Sequence, residues 1–330
     1  MAAVLEARDL VIRFITGEGE VKAVNGASFS LEEDSILGLV GESGAGKSTI
    51  ALAVLKLLPS TARVESGSAT FDGLDLMQAG EDDLRRIRGK DIVFIPQDPR
   101  AALNPVMRVG NQVEEQILAH TELSKREATN LSLQSLREMG LPEPREVVYR
   151  YPHELSGGMC QRVVLAMALA LKPRVIIADE PTSSLDVTIQ AEILRYLKAY
   201  CKDQGSSMVL ITHDLGVVAQ MADQVAVMYA GDIVERTDVV NLFHSPRHPY
   251  LGALLGSLPR MDREQRRFAP IGGNPPDMLN LPAQCPFLPR CPKAINECRT
   301  EPKPDLVEMD PAHWVACYNP HESASVAGVT

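Results

Sequence analysis

The nine residues Gly41-Glu42-Ser43-Gly44-Ala45-Gly46-Lys47-Ser48-Thr49 restrict the fold more than any other stretch of the chain. They fit the pattern G-x4-G-K-[ST] and lie between an apolar run, Ile36-Leu37-Gly38-Leu39-Val40, and a helical pattern that starts near Lys47. A strand, a glycine loop and a helix in that order wrap backbone N–H groups around a phosphate. The helix also aims its positive end at the same anion. Lys47 adds a point charge for the β- and γ-phosphates of a nucleotide such as ATP, and Ser48 offers a hydroxyl to Mg²⁺. Asp91–Pro96, Val175–Asp179 and Met208–Thr212 are further buried-strand patterns set between helical stretches. They predict an α/β fold with a parallel sheet and helices on its faces. Gln224–Tyr229 and Asp232–Glu235, split by Ala230-Gly231, read as late edge strands.

Two more motifs carry chemistry. Val175–Asp179 ends in Asp179-Glu180, two acids at the C-terminal end of a strand. Beside a P-loop, the first would hold Mg²⁺ and the second would polarise the attacking water. Leu155-Ser156-Gly157-Gly158-Met159 then puts small residues at the start of a helical run, which is a second anion-binding pattern. Within one subunit it is surplus. It makes sense if it closes over a nucleotide held by another subunit. Between about residues 98 and 172 strand patterns are lacking, and Val113–His120 and Lys125–Met139 read as helices of an insertion. Beyond about Pro259 prolines accumulate (Pro270, Pro275, Pro276, Pro282, Pro286, Pro289, Pro292) and periodicity is lost.

With these motifs in place, the sequence resembles the ABC-transporter ATPases over roughly residues 4–255. They come in that family's order: P-loop, Gln97 as Q-loop, the signature at Leu155–Met159, the strand to Asp179-Glu180, the D-loop Ser183-Ser184-Leu185-Asp186, and His213 as switch histidine. The resemblance implies a P-loop NTPase (RecA-like) core with a helical subdomain and antiparallel β elements. It assigns Phe14 to adenine stacking and Gly41 to Thr49 to the phosphates. Ser48, Gln97 and Asp179 would serve Mg²⁺, and Glu180, His213 and Gln97 catalysis. Ser156, Gly157 and Gly158 would serve the nucleotide of the opposite subunit, and Asp186 of the D-loop would join the nucleotide-binding residues. Phe14 and His213 also have plain structural readings, as core, or as a helix cap or core histidine.

Within the family, Gln97-Asp98-Pro99, Leu103-Asn104-Pro105, Tyr151-Pro152-His153-Glu154 and His248-Pro249-Tyr250 resemble the peptide and nickel importer branch. Met159 resembles the first of that branch's two ATPase paralogues. Leu155 and Ser184 depart mildly, where Phe and Ala are more usual. The resemblance implies an ATPase domain over 1–258 and a C-terminal extension over 259–330. It also implies a partner paralogue in a heterodimer, preferred to a homodimer, with two integral-membrane permease subunits and an extracytoplasmic substrate-binding protein. The place implied is the cytoplasmic face of a bacterial inner membrane. Cargo would be di- or oligopeptides, with nickel, glutathione, opines or oligosaccharides as alternatives.

Four of the six cysteines crowd into the extension as Cys285-x5-Cys291-x6-Cys298-x18-Cys317, a pattern also found in that branch. In a cytosolic chain such a cluster points to metal rather than disulfides. Paired C-x2-C zinc knuckles are absent, and the spacing suits a [4Fe–4S] cluster at least as well. Zinc and plain reduced thiols stay open, and His313 is a possible spare ligand. Cys160 and Cys201 read as bystanders.

Bulk properties remove other classes. A net charge of −10 argues against nucleic acid as a partner. Met1–Glu6 has neither the basic nor the apolar region of a signal peptide. No apolar run reaches the roughly 18 residues of a membrane helix; Val163–Leu171 is the longest and reads as a buried helix. A non-transport ABC ATPase is the competing reading. The stretch between Gln97 and Ser156 is too short for the coiled coil of repair relatives, and translation relatives carry two cassettes. A regulatory module that does not hydrolyse is disfavoured by Glu180 and His213 together.

Overall fold

The computed structural model describes residues 3–183, 185–257 and 271–322. Ser184, Pro270 and the boundary near residue 258 lie outside the described residues. Two compact units emerge. One holds the described residues of Met1–Leu5, Leu31–Ile36 and Phe71–Ile211, the other those of Glu6–Ser30, Leu37–Thr70 and Thr212–Thr330.

In the first unit, Ile92–Ile95, Val175–Asp179 and Ser207–Thr212 form a parallel ladder with Val175–Asp179 in the middle. Every residue of the middle strand is buried, as a strand covered on both faces requires. The expected insertion helices are present as Val109–His120 and Lys125–Glu138, and they pack on each other and on Gly157–Leu169. Val109–His120 starts four residues before the apolar pattern suggests. The N–H groups of Val109 and Gly110, which a helix start leaves without internal partners, donate to the carbonyls of Arg150 (2.9 Å) and Val148 (3.1 Å). Gly110 permits this approach, since a Cβ there would stand 2.5 Å from Val148 Cβ. Lys125–Glu138 begins at a capping box: Ser124 Oγ accepts from the N–H of Glu127, whose carboxylate accepts from the N–H of Ser124.

In the second unit, Ile36–Val40 runs parallel to Gln224–Tyr229, which pairs antiparallel with Asp232–Asp238. Their connection is the two residues Ala230 and Gly231, both at positive φ (48° and 85°), the backbone that matches strand twist in a tight hairpin. The expectation of edge strands is overturned here. Gln224–Tyr229 is flanked on both sides, and Asp232–Asp238 has a further neighbour, His313–Val315, itself paired with Val307–Asp310. The tail therefore contains a β-hairpin that proline content and weak periodicity conceal. Its order comes from pairing with a strand some eighty residues earlier. Beneath it lies an apolar core in which Leu242, Tyr229, Tyr250 and Phe287 are fully or nearly fully buried. Cys285 and Cys291 pack against its margin.

The polar centre of this tail is Glu235, which has no solvent exposure. One carboxylate oxygen accepts from the N–H of Arg247 (2.9 Å) and meets His313 Nε2 at 2.7 Å; the other accepts from the N–H of His248 at 2.6 Å. Such convergence offsets the desolvation of a buried carboxylate. His313 thus serves a buried pair with Glu235 rather than a metal.

Candidate functional site

The phosphate loop lies wholly in the second unit. Strand Ile36–Val40 delivers the chain into Gly41, and helix Lys47–Val54 begins after Gly46. Gly41 has φ 156°, and a Cβ there would sit 2.2 Å from the carbonyl oxygen of Met228; at Gly46, with φ 100°, the same test gives 2.4 Å from the carbonyl oxygen of Ala23. Only glycine lets the loop close so tightly on its neighbours. Lys47 is 6% exposed, and its Nζ donates to the carbonyls of Gly41 (2.8 Å) and Glu42 (2.9 Å). Ser43, Gly44 and Ser48 are exposed, Thr49 is half-buried, and Ala45 is buried with its carbonyl accepting from the N–H of Gly231.

His213, in the same unit, is exposed just past strand Ser207–Thr212. The next helix is capped by Asp214, whose carboxylate accepts from the N–H groups of Gly216 and Val217, so both structural readings of His213 fall away. Phe14 is half-buried on strand Ala3–Thr16 and outside the fully buried core.

The first unit carries the acids and the signature. Asp179, 6% exposed, ends its strand; Glu180 follows at φ 44°, a left-handed backbone rare for glutamate. The N–H of Glu180 donates to the carbonyl of Ile211, and its Oε2 accepts from Gln97 Nε2 at 2.9 Å. The Q-loop glutamine and the acid after the strand are thereby brought together. Backbone held off its usual regions is characteristic of functional positions, where surrounding contacts offset the strain. Ser156 is the exposed N-cap of helix Gly157–Leu169, accepting from the N–H of Met159 at 3.3 Å. Gly158 is buried, with Ile189 3.2 Å from where its Cβ would stand, and Gly157 is half-buried. Asp186 caps helix Val187–Gln204 by accepting from Thr188 and Ile189, both at 3.1 Å.

All six cysteines are thiols. Burial first, and then nearby thiols of the set, hold Cys285, Cys291 and Cys317 above the ordinary thiol value, with Cys298 among the neighbours in each case. Burial is the larger cause, pushing Cys285 up to about 11 and Cys317 up to about 12. Among the described residues no group of three or more His, Cys, Asp or Glu side chains forms a metal site.

Two contributors to the phosphate loop escape the motif reading. The N–H of Glu42 donates to the hydroxyl of fully buried Tyr250 at 2.9 Å, and the Glu42 carboxylate receives Arg290 from the tail. Both belong to segments that mark the importer branch in sequence, His248-Pro249-Tyr250 and the residues between Cys285 and Cys291. The signal was present, but nothing local tied it to phosphate.

Comparison with known proteins agrees with this geometry. The ABC transporter family matches residues 24–183, and the oligopeptide/dipeptide transporter C-terminal region matches 234–298. The oligopeptide transport ATP-binding protein OppD of Escherichia coli (strain K12) is 45% identical over 320 residues, 97% of this chain and 94% of that protein. The dipeptide transport ATP-binding protein DppD of Bacillus subtilis (strain 168) is 45% identical over 319 residues, 96% of this chain and 95% of that protein. Among solved structures, a dimeric post-hydrolysis state of the ATP-binding cassette MJ0796 bound to ADP and Pi superposes with TM-score 0.65 at 26% identity, covering 71% of this chain and 98% of that one. A glycine loop, a strand ending in two acids, a serine-capped signature helix and a tail of the oligopeptide/dipeptide type thus occur in one chain. It belongs to the ABC-transporter ATPases, as an ATP-binding and ATP-hydrolysing subunit related to those of oligopeptide and dipeptide transport.

Proposed function

We propose that this ATPase powers the import of di- or oligopeptides across a bacterial inner membrane, attached peripherally to its cytoplasmic face. The observation that carries the reading is 45% identity across nearly the whole chain, tail included, to both an oligopeptide and a dipeptide transport protein. Among the described residues no helix is long and apolar enough to cross a membrane. Two permease subunits would form the passage. An extracytoplasmic binding protein would select the cargo. A paralogous ATPase would complete a heterodimer, in preference to a homodimer. The working division is an ATPase domain over 1–258, with a helical subdomain at about 98–172, and an extension over 259–330.

The reaction consumes water: its oxygen bonds to the γ-phosphorus, the bond to the bridging oxygen breaks, and ADP and phosphate leave. Gly41–Thr49 bind the phosphates through backbone N–H groups, with Lys47 as the cation. Phe14 stacks on adenine. Glu180 polarises the water while Gln97 orients that carboxylate, and His213 contacts the γ-phosphate. Ser48, Gln97 and Asp179 offer the hard oxygen donors suited to Mg²⁺, which when bound neutralises phosphate charge. Ser156, Gly157 and Gly158 serve the nucleotide of the partner, and Asp186 belongs to the nucleotide-binding set. Reconstitution with the permease pair and binding protein in liposomes should give ATP-dependent uptake of labelled di- and oligopeptides. Uptake of nickel, glutathione, an opine or an oligosaccharide in their place would reassign the cargo.

The sequence spacing Cys285-x5-Cys291-x6-Cys298-x18-Cys317 supplies four soft thiolate donors, the number that a [4Fe–4S] cluster takes. Protein purified without oxygen should then hold about four irons per chain, and Cys291→Ser should lose them while ATP binding persists. One zinc and no iron would replace the cluster with a structural zinc, and neither metal would leave plain thiols.

A further inference from the structure

Glu42 places a carboxylate inside a loop built to receive a polyanion. Left alone, that charge would oppose the triphosphate. Arg290 meets it with both forks of its guanidinium: Nη1 donates to Oε2 at 2.8 Å and Nη2 to Oε1 at 3.0 Å, across 248 residues of sequence. The guanidinium is itself held from every side. Nη1 donates to the Tyr229 hydroxyl at 3.2 Å, Nε to the carbonyl of Gly272 at 3.0 Å, and Nη2 to that of Ile271 at 3.5 Å. All five of its N–H donors are thereby used. The group also lies over the Tyr229 ring, 5.8 Å from its centroid. Its side chain is 5% exposed, so the pair is shielded from salt and water far better than a surface ion pair.

What Arg290 stands on is packed into the apolar core. It closes the short turn Leu288–Arg290 directly after Phe287, whose ring is fully buried edge-on to Tyr229 (5.2 Å, 84°) and beside Tyr250 (5.4 Å, 62°). Tyr250 reaches the backbone of the same loop residue, its hydroxyl accepting the N–H of Glu42. The carbonyl of Glu42, with that of Gly41, is where Lys47 Nζ rests. A continuous chain of contacts thus leads from the tail, through Glu42, to the cation that binds phosphate.

We propose that Arg290 is a positioning residue of the ATP site: it cancels the Glu42 charge and fixes the loop arm that carries Lys47, making the cysteine-rich tail a working part of the phosphate-binding loop. The inference rests on the P-loop as the ATP site and goes beyond the import reading. The test uses the full-length chain titrated with MgATP and MgADP, with folding checked by circular dichroism. Arg290→Ala should weaken both nucleotides by about 10-fold, the order expected when a charge-assisted pair is lost. The deficit should shrink as salt screens the Glu42 carboxylate that this variant leaves unpaired. Adding Glu42→Gln to that variant should recover most of the affinity, because the repelling charge is gone. A residue that only stabilises the tail would lower the melting temperature, leave the affinity of folded protein unchanged, and gain nothing from the second substitution. Unchanged affinity, or no gain from the second substitution, overturns the proposal. If Arg290→Ala does not fold, Arg290→Lys and Arg290→Gln decide: the lysine variant, which keeps the charge, must bind MgATP more tightly than the glutamine variant. A wild-type chain that binds no ATP would instead sink the P-loop assignment.

Discussion

Glu180 combines three features that ordinary surface acids lack. Its backbone is left-handed, its N–H is tied to the carbonyl of Ile211, and its carboxylate is aimed by Gln97. The proposed role of Glu180 in polarising water predicts a defect in the chemical step more than in binding. Glu180→Gln keeps the size and hydrogen-bonding capacity but removes the base. Turnover of the assembled transporter should fall by roughly 10²–10⁴, the usual worth of a general base. MgATP affinity of the isolated chain should stay within a few-fold of wild type. Phosphate release and nucleotide titration measured together decide the point, and near-normal turnover would remove Glu180 from the role. Asp186 is a different kind of acid, since its carboxylate is engaged in capping Val187–Gln204. Replacing it with alanine should cost about 1 kcal/mol of stability as a lost N-cap, read as a lower urea midpoint.

At the scale of elements, helix Pro249–Gly256 starts at a histidine that acts as its cap. His248 Nδ1 accepts from the N–H of Tyr250 at 3.1 Å, which requires an unprotonated nitrogen. Complete burial pushes its pKa from the ordinary 6.5 down to about 3. The unfolded chain therefore binds a proton that the folded chain refuses between these two values. Stability is at its full value above about pH 6.5 and is lost as pH falls towards 3. At pH 5 the loss from this residue is about 2 kcal/mol. His321, also lowered by burial, adds to the loss with the same sign. Urea unfolding at pH 7 and pH 5 should show the decline. His248→Asn, which keeps an acceptor but cannot titrate, should flatten it. An equally steep decline in that variant would assign the acid sensitivity elsewhere.

For the molecule as a whole, the extension behaves as part of the second unit. His313–Val315 pairs with Asp232–Asp238, Phe287 enters the same core as Tyr229, and Ala316 donates its N–H to the carbonyl of Val234. A chain ending at residue 257 would uncover Tyr229 and Tyr250 and leave Asp232–Asp238 as an unprotected strand edge. Such a truncation should aggregate, as seen by size-exclusion chromatography, although every ATP motif is retained. A monodisperse truncated chain with wild-type MgATP affinity would show that the tail is dispensable to both fold and site.

Sequence by itself determined the features that depend on local geometry. The glycines of the phosphate loop, the acids ending Val175–Asp179, the signature before Gly157–Leu169 and the inner strands are all written in residue type and spacing over a few positions. Backbone sterics and periodicity act at that range. Val109–His120 starts earlier than its apolar periodicity because carbonyls some forty residues away complete its first turn. Tertiary structure alone decided the strands taken for edges, the hairpin hidden in a proline-rich tail, the burial of Glu235 against His313, and the meeting of Arg290 with Glu42. Each joins segments far apart in the chain, where neither partner's neighbours specify the other. Their pairing is selected only when burial of the shared core makes an unmatched charge or strand edge costly.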